Sequence, residues 1–428
     1  MRIAAFSILL SSFLACNTTE PRPIQPRLSL EVLDVSATEA WLRVSTESDC
    51  PCAVSLLRDE VAVYAFELLG ADSLLIDRGL SPGTTYSYMA VEVIDSAVAR
   101  ASESIQISTL ETTSHAWTFE VQLLGDGASS ELFDITIIND TLAYAVGEIS
   151  VRDSTGKYVD PPYNVARWNG NQWELITALY TYQGQDSYVD LRCVLAFSDT
   201  DVWVAGNGIL HWNGEEFLEV EIPASIWGSN LINRIWGLSS NDIYIGGENG
   251  KLARYRSGIW YPIDTGTSLR INDICGSTDD EIMAVAALRF GTFEREILKI
   301  VGSTATPIID NGITSSLDGI WFRPDRIYYV VGNGIYARFS ITDSTEWEAQ
   351  QPGVTVFYLT GVDGNNFNDI VACGEFGELL HFDGLSWRSY KDQTSFTSGV
   401  LYNVRVNGNC MMAVGFESAR AVVVHGTR

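Results

Sequence analysis

The stretch Val202-Trp203-Val204-Ala205-Gly206 is a short apolar segment that ends at a glycine, as expected of a buried strand that runs into a tight turn. The same pattern occurs at residues 143–147, 243–247, 328–332, 370–374 and 411–415, and a sixth copy at 282–286 ends in alanine instead of glycine. Consecutive copies are mostly about 40 residues apart, a period typical of repeat folds with several strands in each unit. Residues 115–428 are therefore predicted to consist of seven similar β-units.

Each unit is predicted to contain four strands, with a hairpin between the third and the fourth. The hairpin signals are Asn213-Gly214, Ser257-Gly258 and Asp383-Gly384. Such dipeptides favour two-residue turns in which both central residues have positive φ. Four-stranded units at this period are typical of a β-propeller, so we predict seven blades. The last unit lacks a fourth strand, and residues 117–123 match one; we expect them to close the ring and leave no bare sheet edge.

One copy of the repeat is close to a known pattern. It reads Asp242-Ile243-Tyr244-Ile245-Gly246-Gly247-Glu248-Asn249-Gly250-Lys251-Leu252-Ala253-Arg254-Tyr255. It resembles the short-bladed propellers of bacterial sensor and surface proteins, whose units read Asp-x-Trp-x-Gly-x-x-Gly-x-x-Arg-Tyr-Asp-Gly. The resemblance implies the fold and no particular activity, because one fold carries many unrelated functions.

Residues 28–110 alternate apolar and polar residues in several short runs, which indicates a small all-β domain ahead of the repeats. Within it, Leu80-Ser81-Pro82-Gly83-Thr84-Thr85-Tyr86 resembles the fibronectin type III signature Leu-x-Pro-Gly-Thr-x-Tyr. The resemblance implies a β-sandwich in which the ring of Tyr86 is buried and Trp41 lies in the core between the sheets. It also implies an adhesive or spacer role, and we expect a spacer because this domain lacks an Arg-Gly-Asp tripeptide.

Composition and charge restrict the class of partner. Of the 428 residues, 46% are hydrophobic and 19% are charged, so sizeable cores are expected. Lys and Arg total 27 against 54 Asp and Glu, which gives a formal net charge of −27. Nucleic-acid binding requires basic residues that neutralise phosphates, so we expect no nucleic-acid partner. Docking onto an anionic lipid surface through a basic patch is disfavoured for the same reason.

The N-terminal residues MRIAAFSILLSSFLA place one arginine before a short apolar stretch, and Cys16 follows directly. This segment resembles the bacterial lipoprotein signal, in which cleavage leaves the cysteine at the N-terminus for acylation. The resemblance implies that residues 1–16 are a signal peptide with a lipidated Cys16. The chain would then be exported and held in the outer membrane or at the cell surface by this anchor, with the polar, proline-rich residues 17–27 as a tether. The alternative is an ordinary secretory signal in which Cys16 is incidental.

Metal and redox chemistry have few candidate residues. Cys50-Pro51-Cys52 looks like a metal or redox fragment, but no second pair or histidine cluster accompanies it. The later cysteines lie in apolar strand patterns, where a thiol acts as a small hydrophobe. Of only four histidines, His211 and His381 hold equivalent positions in two units, which indicates a structural repeat. We predict no metal site and no cofactor, with Ca²⁺ at the channel entrance as the alternative.

Polar residues recur at two positions that the propeller topology places at one end of the channel. The residue after the repeat glycine is, in five units, Glu148, Asn207, Glu248, Asn333 or Glu375. The starts of the inner strands include Arg192, Asn233, Arg234, Asn272, Asp273 and Asp318. Together they are predicted to form a polar mouth that binds sugar hydroxyls, a peptide or Ca²⁺. The alternative is that Glu and Asn satisfy backbone donors in their own turns.

Two functions are compatible with the sequence. The first is an exported, non-catalytic recognition or scaffold lipoprotein that binds a protein or a polysaccharide at the cell surface. The second is a glycan-processing hydrolase of the sialidase type, which needs three arginines, a tyrosine nucleophile with a carboxylate partner and an acidic residue. Arg192, Arg234 and Arg405 lie near inner-strand starts and are candidate arginines. No catalytic residue is assigned, because the spacing assembles no carboxylate pair, and we favour the recognition module.

Overall fold

The computed structural model describes residues 28–47, 51–94, 97–127, 129–182, 185–278, 281–288, 293–342, 345–394 and 396–428. Cys16, the predicted tether and Cys50 lie outside these residues. In the described part of the chain, helix is limited to one 3₁₀ turn, Glu248–Gly250, and to α1 (Lys391–Thr394). The predicted all-β class is confirmed. The described residues fall into two compact units, one with 28–32, Leu42–Leu75 and Tyr86–Ile107, the other with Leu33–Trp41, Ile76–Thr85 and Ser108–Arg428.

The first eight strands form two antiparallel sheets. They are β1 (Leu28–Val35), β2 (Glu39–Thr46), β3 (Cys52–Arg58), β4 (Val61–Leu68), β5 (Asp72–Arg78), β6 (Thr85–Ile94), β7 (Ala97–Ala101) and β8 (Ile105–Ser108). One sheet has the order β1-β2-β5, and the other has the order β4-β3-β6-β7, with β8 paired to β6. In the first unit, Val44, Cys52, Val54 and Ala90 share one buried apolar cluster. The alternation in their sequence arises because each strand covers the core with one face.

Two aromatic residues differ from the expectation based on the fibronectin type III signature. Tyr88 is fully buried, whereas Tyr86, one residue after β6 begins, is only partly buried. Trp41 is fully buried, but it belongs to an apolar cluster of the second unit, where its ring centroid is 5.3 Å from that of Phe367. Alternation along β2 explains this placement, because Trp41 and Val44 point to opposite faces of the strand.

The second unit contains seven four-stranded antiparallel sheets within its described residues. Its long segment begins with β9 (Thr118–Leu124), which belongs to the last sheet. Sheet 1 consists of β10 (Glu131–Asn139), β11 (Leu142–Ile149), β12 (Tyr163–Trp168) and β13 (Trp173–Ile176), and the hairpin of β14 (Leu179–Tyr182) and β15 (Gln185–Tyr188) follows it. Sheet 2 consists of β16 (Leu191–Ser198), β17 (Asp201–Gly206), β18 (Ile209–Trp212) and β19 (Phe217–Glu219). Sheet 3 consists of β20 (Ile232–Ser239), β21 (Asp242–Gly247), β22 (Leu252–Arg256) and β23 (Ile259–Ile263).

The remaining sheets repeat this order along the chain. Sheet 4 consists of β24 (Ile271–Thr278), β25 (Glu281–Ala287), β26 (Arg295–Val301) and β27 (Thr304–Ile308). Sheet 5 consists of β28 (Leu317–Arg323), β29 (Ile327–Gly332), β30 (Gly334–Arg338) and β31 (Glu348–Ala349). Sheet 6 consists of β32 (Leu359–Asn366), β33 (Asp369–Gly374), β34 (Leu379–Phe382) and β35 (Trp387–Ser389). Sheet 7 consists of β36 (Val400–Asn407), β37 (Cys410–Glu417), β38 (Arg420–Thr427) and β9.

The first strands of the seven sheets contact one another in a closed circle. β10 packs beside β16, and the succession continues through β20, β24, β28 and β32 to β36, which packs against β10 again. β9 supplies the fourth strand of sheet 7 and pairs with β38, with Val422 opposite Leu123 and Thr427 opposite Thr118. The two ends of this segment are therefore joined in one sheet, and the edge of β38 is paired by β9.

The repeat glycine is explained by a close backbone approach between the first two strands. A Cβ atom on Gly206 would lie 1.7 Å from the carbonyl oxygen of Asp190, and one on Gly415 would lie 1.8 Å from that of Val400. Real Cβ contacts do not reach such distances, so a side chain would force the strands apart. In sheet 4 this position is Ala286, which pairs with Ile271.

The three predicted hairpin turns are built in two ways. Ser257 and Gly258 both have positive φ, at 49° and 90°, as expected for a two-residue turn. In the turns at Asn213 and Asp383 only the following glycine has positive φ, so the prediction for the first residue was wrong there. Asp383 Oδ1 instead accepts hydrogen bonds from the N–H groups two and three residues later, at 2.9 and 2.8 Å, and Asn213 forms the same pair. The side-chain oxygen thus replaces part of the backbone turn.

In the described chain, the cysteines and the repeated histidines lie in environments that suit a structural role. Cys193 and Cys410 are buried, and burial raises the pKa of the Cys275 thiol to about 12. His211 Nε2 lies 2.8 Å from an Asp201 carboxylate oxygen of the same sheet. His381 and Asp369 form the equivalent pair in sheet 6, at 2.9 Å. No described helix is long and apolar enough to cross a membrane.

Candidate functional site

A β-bulge occurs at the same place in the first strand of each of the seven sheets. In sheet 1, Leu132 pairs with Gly147 and Asp134 pairs with Val146, which leaves Phe133 without an opposite residue. The residues in this bulge position are Phe133, Arg192, Asn233, Asn272, Asp318, Thr360 and Tyr402. A bulge changes the direction in which a side chain points. Because it recurs at the same position in every sheet, side chains from several sheets can contribute to one site.

Five of the bulge residues line one cavity of about 310 Å³, which we call the mouth cavity. Its lining consists of Glu131, Phe133, Arg192, Leu231, Asn233, Arg234, Arg270, Asn272 and Tyr402. These residues come from the first strands of sheets 1, 2, 3, 4 and 7, or from the residues directly before those strands. The cavity is large enough for one or two residues of a ligand and has a mostly polar lining.

Two aromatic rings and one guanidinium form a stack on one side of the mouth cavity. The Arg192 guanidinium carbon lies 3.9 Å from the centroid of the Phe133 ring. The Phe133 and Tyr402 rings are stacked, with centroids 5.5 Å apart. The Tyr402 hydroxyl donates a hydrogen bond to Glu131 Oε2 at 3.2 Å. Burial raises the pKa of the Glu131 carboxyl above its ordinary value, although this hydrogen bond and the charge of Arg192 oppose the shift.

Some buried polar atoms of the lining have neither a hydrogen-bond partner nor an ion pair among the described residues. They include Arg192 Nε, Asn233 Oδ1 and Asn272 Oδ1. The Asn272 amide nitrogen donates to the carbonyl oxygens of Ala287 and Leu317, at 3.2 and 2.9 Å. Because carbonyl oxygens only accept, the amide cannot be turned around, and Asn272 Oδ1 remains an acceptor. Buried polar groups are normally satisfied in native proteins, so unfilled ones beside a cavity indicate a site that takes a ligand or ordered water.

An ionic cluster lies beside the mouth cavity and consists of the buried Asp134, Arg234 and Asp273 and the partly buried Asp363 and Arg405. Arg234 Nη1 is 3.5 Å from Asp134 Oδ1, and Arg234 Nε is 3.4 Å from Asp273 Oδ1. Burial raises the pKa of the Asp273 and Asp363 carboxyls. The guanidinium of Arg405 opposes this shift at both carboxyls, because it favours their charged forms.

The carboxylates of the ionic cluster also connect neighbouring sheets. Each accepts a backbone N–H group from the first strand of the next sheet. The pairs are Asp134 Oδ2 with Val194 N at 3.1 Å, Asp273 Oδ2 with Ile320 N at 3.0 Å, and Asp363 Oδ2 with Val406 N at 2.9 Å. The Asn403 amide of sheet 7 donates to Asp134 of sheet 1. The cluster therefore uses its hydrogen-bonding capacity to hold the circle of strands together.

No protein-family model matches this sequence, and no curated protein matches it. Solved structures do match. The structure described as YCF48 bound to D1 peptide is 16% identical, with a TM-score of 0.54, over 72% of this chain and 97% of that chain. YCF48 from Cyanidioschyzon merolae is 14% identical, with a TM-score of 0.52, over 71% and 98%. The WD40 β-propeller domain of Doa1 is 13% identical, with a TM-score of 0.50, over 74% and 98%.

The fold is a β-propeller. At these identities the likeness establishes the architecture and no ligand. The circle of first strands surrounds the propeller axis, and the mouth cavity lies at the end where those strands begin.

The propeller brings only part of the predicted polar mouth together. Arg192, Asn233, Arg234 and Asn272 line the mouth cavity, and Asp273 lies in the ionic cluster. Asp318 is 1% exposed and does not line the cavity.

The residues after the repeat glycines are dispersed. Glu248 accepts a hydrogen bond from Asn233 at 3.3 Å and lies 3.5 Å from Arg270, so it supports the lining. Glu148 is the strand neighbour of Glu131. Asn207 accepts a hydrogen bond from the backbone N–H of Asp190 at 3.1 Å. This agrees with the alternative, in which the residue after the glycine satisfies a backbone donor. Asn333 lines a different cavity of about 230 Å³, and the Glu375 backbone bridges to Val400.

Five lining residues were missed from the sequence: Glu131, Phe133, Leu231, Arg270 and Tyr402. Phe133 and Tyr402 occupy the same bulge position as Arg192. Glu131, Leu231 and Arg270 each precede the first residue of the bulge pair. An alignment of the repeats on their first strands, rather than on the glycine-ended strands, would have included all five among the candidates, together with equivalent residues of other sheets that do not line the cavity.

The structure contains no group of three or more His, Cys, Asp or Glu arranged to hold a metal ion among its described residues. The carboxylates nearest the mouth cavity are paired with arginine, tyrosine or backbone N–H groups. The lining is therefore suited to hydrogen bonding and charge pairing with an organic ligand.

Proposed function

We propose that this chain is a non-catalytic recognition module of an exported surface lipoprotein, which binds a protein or polysaccharide ligand in the mouth cavity. In this proposal the propeller has seven blades, residues 28–110 form a fibronectin type III-like spacer, and Cys16 carries the lipid anchor. The seven four-stranded sheets and their circle of first strands support the blade number. The signal-like N-terminus supports export and anchoring.

The observation that carries the binding function is the set of unfilled atoms on Arg192, Asn233 and Asn272. An unsatisfied buried polar group costs about 1–3 kcal/mol, so a ligand that pairs with these atoms recovers free energy on binding. The YCF48 structure holds a D1 peptide, which supports a protein ligand for a propeller of this kind.

A binding screen on peptide and oligosaccharide arrays tests the proposal with the full-length chain in detergent. Leu231→Trp adds a large ring to the lining of the mouth cavity, and we expect it to abolish the signals that the natural chain gives. Leu218→Trp is the matched control, because Leu218 lies on β19, is 43% exposed and does not line the cavity. If Leu231→Trp retains the binding profile while both variants melt as the natural chain does, the mouth cavity is not the binding site.

Glycan hydrolysis is the second candidate, and one observation favours it. Tyr402 donates to Glu131 at 3.2 Å in a cavity that Arg192 and Arg270 also line, which is the tyrosine, carboxylate and arginine combination of a sialidase-type site. Arg405 and Arg234 are engaged in the ionic cluster instead. Turnover of a fluorogenic acidic-sugar glycoside that is lost in Tyr402→Phe would establish this function, and absence of turnover in the natural chain would reject it.

A further inference from the structure

The aromatic rings of the mouth cavity are already covered by other side chains. The Phe133 ring contacts both the Arg192 guanidinium, at 3.9 Å, and the Tyr402 ring, at 5.5 Å between centroids. Tyr402 also packs against Phe416, with ring centroids 5.8 Å apart. A ligand that enters the cavity therefore meets polar groups rather than an open aromatic face. This arrangement disfavours recognition by stacking of a sugar ring on a flat aromatic platform.

Arg192 is positioned to bind a carboxylate. Contact with the Phe133 ring restricts the Arg192 side chain, so less side-chain freedom remains to be lost on binding. Its Nε is buried and has no hydrogen-bond partner in the described chain. The planar fork of N–H donors matches a carboxylate with two parallel hydrogen bonds. Arg270 lines the same cavity, but its charge is paired with Glu248 at 3.5 Å, so the carboxylate is assigned to Arg192.

Two fixed acceptors complement the guanidinium. Asn272 Oδ1 is held as an acceptor by the two bonds of its amide nitrogen to backbone carbonyls. The Asn233 amide nitrogen donates to Glu248 at 3.3 Å, which leaves Asn233 Oδ1 to accept. Both oxygens therefore need N–H or O–H donors from whatever occupies the cavity. A peptide backbone supplies N–H donors next to a carboxylate.

The net charge of the chain argues against a polyanionic ligand. At −27 the protein repels a chain of many negative charges, such as an acidic polysaccharide, while the local positive charge of Arg192 attracts a single carboxylate. A short acidic peptide segment thus satisfies both the long-range and the local electrostatics.

We infer that the mouth cavity binds a peptide through one carboxylate on Arg192 and through adjacent amide N–H groups on Asn233 and Asn272. This inference rests on the proposed recognition function and specifies its ligand. The carboxylate is supplied either by the C-terminus of the bound peptide or by an Asp or Glu side chain, which present the same two oxygens to the guanidinium.

Fluorescence anisotropy with rhodamine-labelled probes and the full-length chain distinguishes the two sources. The probes are a neutral tetrapeptide with a free C-terminus, the same tetrapeptide with a C-terminal amide, an amidated tetrapeptide with one internal aspartate, and a trigalacturonate. We expect one or both carboxylate peptides to bind and the neutral amide to bind at least about 10-fold more weakly, because hydrogen bonds to a charged group contribute about 1.5–3 kcal/mol.

The Arg192 variants test the residue assignment. Arg192→Ala should weaken the carboxylate peptides by about 10- to 100-fold, and Arg192→Lys, which keeps the charge but loses the planar fork, should recover only part of the loss. Arg388→Ala is the matched control, because the guanidinium of Arg388 also lies over an aromatic ring, 5.3 Å from the Tyr390 centroid, and does not line the cavity.

The outcomes separate this inference from the proposed function. Equal binding of the amidated neutral peptide, or no effect of Arg192→Ala, would overturn the carboxylate assignment even if the cavity-filling Leu231→Trp still abolishes binding on the arrays. Binding of trigalacturonate alone would overturn the peptide assignment and leave a polysaccharide receptor. Array binding that Leu231→Trp does not change would overturn the recognition site itself.

Discussion

The mouth cavity and the ionic cluster are built from the same first strands, and both contain buried arginine and acidic or amide groups, yet they differ in hydrogen-bond satisfaction. In the ionic cluster, Asp273 accepts two backbone N–H groups and lies 3.4 Å from Arg234. In the mouth cavity, Asn233 and Asn272 each keep an oxygen without a partner in the described chain. Buried polarity alone therefore does not indicate a binding site in this fold. Unfilled polar atoms that also line a cavity are the more specific indication.

The difference predicts opposite responses to substitution. When a buried charge that has partners is removed, those partners stay buried without a compensating group. This lowers the free energy of unfolding by several kcal/mol. Removal of an unsatisfied polar group relieves a cost that the folded chain already bears. The first change should therefore lower the stability of the fold as a whole and affect binding only as a consequence. The second should weaken binding, while stability increases or stays unchanged.

The largest effect is expected for Asp273→Ala in the ionic cluster. The substitution leaves the Ile320 and Ile274 N–H groups without their acceptor and weakens the charge balance of Arg234. We expect the free energy of unfolding, measured by urea titration of tryptophan fluorescence, to fall by about 3–5 kcal/mol. Asp392→Ala, at an exposed position of α1, is the control and should change it little. Equal losses in the two variants would show that the cluster is not structural.

A smaller effect of opposite sign is expected for Asn233→Leu in the mouth cavity. Leucine has nearly the shape of asparagine, removes the unfilled oxygen and gives up only the 3.3 Å bond to Glu248. The variant should be as stable as the natural chain or more stable by about 1 kcal/mol, while array binding falls. Asn207→Leu is the comparison, because Asn207 Oδ1 has a partner in Asp190 N and the substitution should not stabilise. A clear loss of stability in Asn233→Leu would mean that its oxygen is satisfied in solution.

The distinction between these two regions was only partly predictable from sequence. The repeat glycine was found because a backbone oxygen less than 2 Å from a Cβ position permits almost no other residue, as at Gly206. The four-stranded units followed from the same regular spacing. The bulge at Phe133 and Tyr402 is a register shift between two paired strands. It could not be predicted from the residue preferences of one strand alone. Trp41 was misplaced because alternation shows that two faces exist but not what covers each face.

It is harder still to predict from sequence which hydrogen-bond or ion-pair partners a polar side chain will have. Arg192 and Arg234 occupy neighbouring positions of equivalent strands, and nothing in their sequence surroundings separates them. Arg234 forms ion pairs because Asp134 and Asp273 reach it from sheets 1 and 4, which are far apart in the chain. Arg192 meets the Phe133 ring instead. Whether a residue is available to a ligand depends on which first strands are adjacent in the circle. The sequence could therefore predict the end of the propeller at which the site lies, but not which atoms form it.

The smallest effect concerns the pH dependence that Glu131 brings to the mouth cavity. Burial raises the pKa of this carboxyl, so the folded chain holds the proton more tightly than the unfolded chain. Folding then takes up a proton, and the contribution of Glu131 to the free energy of unfolding falls as the pH rises from the ordinary carboxyl pKa through the raised one. Glu131→Gln keeps the acceptor for Tyr402 and removes this titration.

The stability difference between Glu131→Gln and the natural chain should therefore increase in favour of the variant as the pH rises above about 4, the ordinary carboxyl pKa, as measured by urea unfolding at each pH. Asp273 and Asp363, whose pKa values burial also raises, titrate in both proteins and cancel in the difference. Glu216→Gln at an exposed turn is the control and should give a flat difference. A flat difference for Glu131→Gln as well would mean that the Glu131 carboxylate is as well stabilised in the mouth cavity as in water, and that the cavity already favours negative charge before a ligand carboxylate arrives.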